Sequence, residues 1–180
     1  MRKLVRPVVA VTVAVALILA MSSIAGATTI SNAKYAKSLC GAISQTVKTV
    51  SKLKPSASTD PAAYQAETLA AVDKVLAALR AAQIKLKKLS PEDGGKKVTK
   101  LFSKYLGDWQ AGIRKARDKF AAADPASPAF SAAGPVLGAE LQASEATLGD
   151  PFSKLSGNQD LLGAFGDEKS CEKIVTVYGG

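Results

Sequence analysis

The sequence predicts an all-α fold: an antiparallel four-helix bundle whose C-terminal tail of short helices is joined to the first helix by a disulfide. Apolar residues recur at steps of three and four along four segments bounded by proline or glycine, which is the period of an amphipathic helix. The two cysteines, Cys40 and Cys171, lie at the two ends of this helical body. An even cysteine count downstream of an export signal favours one internal disulfide. Two free buried thiols and an intermolecular bridge are the alternatives.

The first 27 residues have the three parts of a signal peptide. Residues 1–6 are basic, residues 8–21 are apolar or small apart from one threonine, and Ala25 and Ala27 form an A-x-A cleavage site. We therefore expect cleavage after Ala27 and a secreted or extracytoplasmic protein. An uncleaved membrane anchor is the alternative, because the apolar run approaches the roughly 20 residues that cross a bilayer.

The first two helices follow from their stop and start residues. Helix 1 is predicted over residues 32–54, ended by Pro55. Helix 2 is predicted over residues 61–89, since Asp60 can cap its free amides and Pro61 suits the first helical position.

Helix 3 is predicted over residues 96–123 and has one apolar and one basic face. The apolar face includes the aromatic residues Phe102, Tyr105 and Trp109 beside the small Gly112. The opposite face carries Lys97, Lys100, Lys104, Lys115 and Lys119.

The fourth segment is predicted to begin at Ser127 and to be kinked or split at Gly134 and Pro135, because proline removes a helical hydrogen bond. From Phe152 onward the short apolar clusters predict one-turn helices and loops that pack across one end of the bundle. This tail can return to helix 1 and bring Cys171 to Cys40. No sheet is predicted.

Removing the predicted signal peptide, residues 1–27, leaves 153 residues, enough for one domain with its own core. We assign residues 28–174 to this helical domain and residues 175–180 to a frayed C-terminal tail. The remaining chain has 21 basic and 15 acidic side chains, a net charge of +6. Residues 28–119 carry 18 basic and 7 acidic side chains, whereas residues 120–180 carry 3 and 8.

The composition argues against several kinds of chemistry. Histidine is absent, which removes the commonest general base near neutral pH and the commonest metal ligand. Two cysteines without histidine do not supply the four ligands of an ordinary structural zinc site. Two S-x-x-K strings, Ser31 to Lys34 and Ser51 to Lys54, lack the S-D-N and K-T-G elements that accompany this motif in penicillin-binding enzymes. No nucleotide-binding loop or motif for specific nucleic-acid recognition is found. We expect neither an enzyme nor a bound cofactor or metal.

Two cysteine-containing segments, residues 35–40 (Tyr-Ala-Lys-Ser-Leu-Cys) and residues 170–174 (Ser-Cys-Glu-Lys-Ile), resemble a loosely defined group of actinobacterial small secreted proteins and lipoproteins. The resemblance extends over most of the chain through the alanine-rich helices between them. Many members of that group carry a lipobox cysteine after the signal, and this chain does not. The resemblance implies an extracytoplasmic helical bundle and transfers no catalytic residue.

The leading hypothesis is a non-catalytic exported interaction or structural module whose basic helix face binds anionic partners, either envelope polymers or lipid headgroups. An ordinary solvated face is the other explanation of these lysines. The alternative function is a carrier that holds a hydrophobic small ligand in the bundle core, near Phe102, Tyr105 and Trp109. An enzyme is a third possibility and requires a cleft with polar residues converging from separate helices.

Overall fold

A computed structural model describes residues 27–52 and 56–172, and this part of the chain is mostly helical. The elements, in chain order, are β1 (Thr28–Ile30), α1 (Asn32–Ser51), α2 (Pro61–Lys87), β2 (Leu89–Pro91), α3 (Gly95–Ala121), α4 (Ala133–Ala146) and α5 (Gln159–Asp167). The described chain also has 3-10 helices at Pro128–Ala132 and Phe152–Leu155. Residues 169–172 are again helical. The predicted signal segment up to residue 26 and the predicted tail 175–180 lie outside the described residues. Among the described helices, none combines the length and the apolar character that crossing a membrane requires.

The start of α2 follows the sequence prediction. Asp60 is the N-cap, and its carboxylate accepts a hydrogen bond from the Ala63 amide at 2.7 Å. Pro61 lies in the first turn, where the missing amide hydrogen has no helical partner to lose. Helix α1 ends at Ser51, three residues earlier than predicted.

The predicted interruption of the fourth segment is present as a change of helix type. Ser127 caps a 3-10 segment, and α4 then begins at Ala133. Gly134 and Pro135 therefore lie in the first turn of α4, where proline is tolerated because the amides of that turn have no partner within the helix.

The expectation that the chain has no sheet was wrong. Strands β1 and β2 form a two-stranded parallel sheet in which Thr28 pairs with Leu89. The Thr28 amide donates to the carbonyl of Lys88 at 2.9 Å, which places β1 at the C-terminal end of α2. The sheet thus joins the start of the described chain to the connection between α2 and α3.

Helices α2 and α3 run antiparallel. Near the start of α2, the Gln65 side-chain amide donates to the carbonyl of Ala123, two residues after the end of α3, at 2.7 Å. Near the end of α2, the Gln83 amide donates to the carbonyl of Ser103, near the start of α3, at 2.7 Å. Helix α4 packs against α3, and α5 packs against α1.

The C-terminal part contains more helix than the predicted one-turn pieces, since α5 is nine residues long. Its buried residues Leu161 and Phe165 face the core, and the Phe165 ring lies 5.7 Å from that of Phe102. The predicted disulfide is confirmed: Cys40 and Cys171 are bonded and buried, with their Cα atoms 4.9 Å apart.

Candidate functional site

The five lysines predicted on α3 lie in one exposed row, which we call the α3 lysine row. Successive members are separated by three, four, eleven and four residues, all close to whole helical turns. Every member is exposed, whereas the opposite side of α3 contains the buried Phe102, Leu106 and Ile113. The row comprises Lys97, Lys100, Lys104, Lys115 and Lys119.

Two members of the row are engaged by carboxylates. Lys104 forms an ion pair with Asp108 at 2.5 Å, one turn further along α3. Lys119 donates to Glu140 of α4, and this hydrogen bond lowers the pKa of Glu140, with a smaller effect from the charge of Lys115. Both pairs are substantially solvent-exposed, so each contributes little to stability.

The other three members, Lys97, Lys100 and Lys115, have no carboxylate of the described chain within ion-pair distance. Their charges are therefore available to a partner. Three of the five predicted lysines therefore have no carboxylate partner in the described chain. An anionic partner that binds the other two, Lys104 and Lys119, would have to displace Asp108 and Glu140.

A second group of cations lies along the junction of α2 and α3, and sequence reasoning assigned only its member Lys100 to a site. Arg80 and Lys87 are exposed on α2, seven residues apart, on either side of the Gln83 that contacts α3. Lys100 and Arg114 are exposed on α3, seven residues before and after Gly107, whose Cα faces the Gln83 amide. We call these four cations, Arg80, Lys87, Lys100 and Arg114, the α2–α3 seam.

The seven-residue spacings were visible in the sequence. What the sequence lacked was the contact of Gln83 with Ser103 and Gly107, which shows which side of α2 meets α3.

One arginine near the seam has a structural role. Arg117 of α3 donates to both carboxylate oxygens of Asp73 of α2, at 3.0 and 3.2 Å, and also contacts Asp118. These hydrogen bonds, led by that with Asp73, raise the pKa of Arg117. This two-point contact links α3 with α2 and engages the carboxylate of Asp73, which lies seven residues before Arg80 of the seam.

The aromatic residues proposed for a ligand core pack against other side chains. Phe102 is almost fully buried, and its ring lies 5.3 Å from that of Phe152. Tyr105 and Trp109 are half-buried neighbours with ring centroids 6.4 Å apart. Gly112 faces Ser144 of α4. Phe102, Tyr105 and Trp109 line neither the groove between α3 and α4 nor the depression between α1 and α5.

An apolar groove lies instead between the end of α3 and the start of α4, with a volume of about 230 Å³. Ala116, Phe120, Val136 and Leu137 form its walls. Typical small-molecule sites span roughly 300–1,000 Å³, so this groove is small for a drug-sized ligand. Because Phe102, Tyr105 and Trp109 do not line this groove, the groove does not support a ligand site at those residues.

A larger, open and polar depression of about 530 Å³ lies between the start of α1 and α5. Its carboxylates are those of Glu92, Asp160, Asp167 and Glu168. Within the described ranges, no group of three or more histidine, cysteine or acidic side chains is placed to hold a metal ion.

The core contains one strongly perturbed ionisable group. Tyr35 is fully buried, and this burial raises its pKa to about 12. Its hydroxyl has no hydrogen-bond partner among the described residues. The Tyr35 phenol is therefore neutral at physiological pH and packs edge-on against the ring of Phe165.

Comparison of the chain with protein-family models, with curated proteins and with solved structures finds no match.

Proposed function

We propose that this protein is a non-catalytic exported helical module that acts at the cell envelope or outside the cell and contacts anionic partners through a basic surface. The observation that carries this proposal is the exposed α3 lysine row. It spans 22 residues of helix, or about 33 Å at 1.5 Å per residue. A row of like charge on one exposed face attracts anions of either a polymer or a lipid surface.

Export is supported by the disulfide together with the predicted signal peptide. Disulfides persist in oxidising compartments and are rare in the cytosol. The bond between Cys40 and Cys171 is buried and connects two distant parts of the chain. Mass spectrometry of protein recovered from the host's medium or envelope tests this: we expect a chain that begins at Thr28 and is two daltons lighter than its fully reduced form. A reduced chain that still carries residues 1–27 would contradict export with cleavage.

We further propose that α1 to α4 form an antiparallel four-helix bundle. The antiparallel α2–α3 pair supports this arrangement. Helices α3 and α4 also run antiparallel, because Lys119 near the end of α3 contacts Glu140, whereas Gly112, earlier in α3, faces Ser144, later in α4. Distances between spin labels on α1 and α2 test the proposed bundle. Distances that show these two helices running parallel would contradict it.

The binding proposal is tested by neutralising the open lysines of the row. The variant Lys97→Gln/Lys100→Gln/Lys115→Gln removes three charges, each worth about 1 kcal/mol near an anionic surface, so affinity should fall about a hundredfold. Polyphosphate and phosphatidylglycerol vesicles serve as probes at low and moderate salt, because electrostatic binding weakens as salt increases.

The matched control, Lys34→Gln/Lys74→Gln/Lys154→Gln, removes three exposed charges from other elements. It should retain most of the affinity. Equal losses in both variants would mean that net charge alone, and not the α3 lysine row, determines binding.

A further inference from the structure

We propose that the anionic partner is a linear polyanion that lies lengthwise along the α2–α3 seam and is contacted from both helices. This inference rests on the proposed function and adds the class of partner and the contribution of α2. A linear polyanion here means a chain of phosphate or carboxylate groups without a requirement for base recognition.

The antiparallel contact places one cation of α2, Lys87, opposite one cation of α3, Lys100. The Gln83 amide meets the Ser103 carbonyl, so one turn further along α2 corresponds to one turn back along α3. Lys87 follows Gln83 by four residues and Lys100 precedes Ser103 by three, so these two lysines lie at the same level.

Arg80 lies one turn on the other side of Gln83, at the level of Gly107. Gly107 has no side chain, and a Cβ there would lie 2.9 Å from the Gln83 amide nitrogen. The two helices therefore approach closely at the centre of the seam. Arg80 faces a position on α3 that has neither bulk nor charge.

The charges of the seam have no carboxylate partner in the described chain. Arg80, Lys87, Lys100 and Arg114 are all exposed, and none forms an ion pair with a described residue. The nearest acidic side chain on the α2 row, Asp73, lies seven residues before Arg80 and is already bound by Arg117. The seam thus presents four open positive charges, of which Lys87 and Lys100 face one another, while Arg114 is level with the engaged Asp73.

The dimensions of the seam fit an extended chain better than a single anion. From Lys100 to Arg114 is 14 residues of helix, or about 21 Å, and packed helix axes are about 8–10 Å apart. One phosphate group contacts one or two of these cations, whereas a chain that follows the seam contacts all four.

The apolar surface does not favour a membrane. Binding in a bilayer interface draws on buried apolar area as well as on charge. On the described surface, the exposed large aliphatic side chains are Ile84 of α2 and Val136 of α4. Two isolated side chains on different helices provide no continuous apolar face for insertion.

The test uses polyphosphate of defined chain lengths, orthophosphate and phosphatidylglycerol vesicles, with the protein produced from its full chain. The variant Arg80→Gln/Lys87→Gln changes only α2, and so leaves the α3 lysine row intact. It should weaken polyphosphate binding about ten- to thirtyfold and reduce the slope of log affinity against log salt by about 1.4, for two lost contacts. The control Lys34→Gln/Lys154→Gln should change neither quantity by more than about twofold.

Affinity for wild-type protein should also rise with polyphosphate length until the chain spans the seam, and orthophosphate should compete poorly. A charge-retaining variant, Arg80→Lys/Lys87→Arg, should bind like the wild type. This variant separates loss of charge from any effect on folding, which thermal unfolding checks in parallel.

The outcomes distinguish this inference from the proposed function. If Arg80→Gln/Lys87→Gln binds polyphosphate like the wild type while Lys97→Gln/Lys100→Gln/Lys115→Gln does not, the seam is overturned and the anionic surface stands. Binding to vesicles without binding to polyphosphate would overturn the linear polyanion and leave the proposed function intact. Orthophosphate that competes as well as polyphosphate would do the same. If no anionic probe binds, both proposals are overturned.

Discussion

Removal of the disulfide by Cys40→Ala/Cys171→Ala is expected to cause a large loss of stability. The bond connects α1 with the helical turn that follows α5, across a sequence separation of 131 residues. In the chain-entropy model, opening a loop of this length raises the entropy of the unfolded state and costs about 5 kcal/mol. For a chain of this size, each kcal/mol lowers the melting temperature by about 2–4 °C, so we expect a decrease of roughly 10–20 °C.

A nearby hydrogen bond provides a matched control. The Ser44 hydroxyl donates to the carbonyl of Ser170 at 3.1 Å, beside the disulfide. The variant Ser44→Ala removes this hydrogen bond and keeps the disulfide, and it should cost only about 1 kcal/mol.

Urea unfolding followed by circular dichroism measures both free energies of unfolding. Reduced wild-type protein should resemble the double alanine variant. If the double variant lost no more stability than Ser44→Ala, the disulfide would not restrain the fold as we describe.

Four further substitutions test three local features. Asp60→Ala removes the N-cap of α2 and should cost about 1 kcal/mol in urea unfolding; an unchanged free energy would contradict this capping role. Gly112→Ala should destabilise by about 1–3 kcal/mol, because its Cβ would lie 2.5 Å from that of Ser144, whereas Gly138→Ala meets nothing within 4 Å and should stabilise by about 0.5–1 kcal/mol. Effects of the same sign would refute the close α3–α4 contact. Burial raises the pKa of Tyr35 to about 12 against about 10 unfolded, so the folded state retains the proton and stability falls as pH rises from 10 towards 12. Tyr35→Phe should remove that component of the fall, and identical pH dependence in both proteins would argue against the buried phenol.

The helices could be predicted because their signals are local. Asp60 and Pro61 mark the start of α2 through the chemistry of a helix end, which depends on a few neighbouring residues. The buried face of α3 follows from its three-four spacing, and Phe102 is buried there as expected.

The sheet could not be predicted because its pairing is non-local. Strands Thr28–Ile30 and Leu89–Pro91 have three residues each, too few to show an alternating pattern. Helix α5 was underestimated for a related reason: Gly163 and Gly166 lower its intrinsic helix propensity, and burial of Leu161 and Phe165 compensates.

The candidate surface was predicted in part. The exposure of Lys97 and Lys115 follows from the helical period of α3. The pairing of Lys119 with Glu140 and the facing positions of Arg80 and Gly107 depend on how separate helices meet, which the one-dimensional pattern does not contain.

The central claim is that the protein binds anions through a basic surface, and a salt-dependent binding isotherm tests it most directly. Wild-type protein should bind polyphosphate measurably at low salt and several-fold more weakly at moderate salt, because phosphate contacts release counterions. Absence of binding at both salt concentrations, to polyphosphate and to phosphatidylglycerol vesicles alike, would contradict the claim.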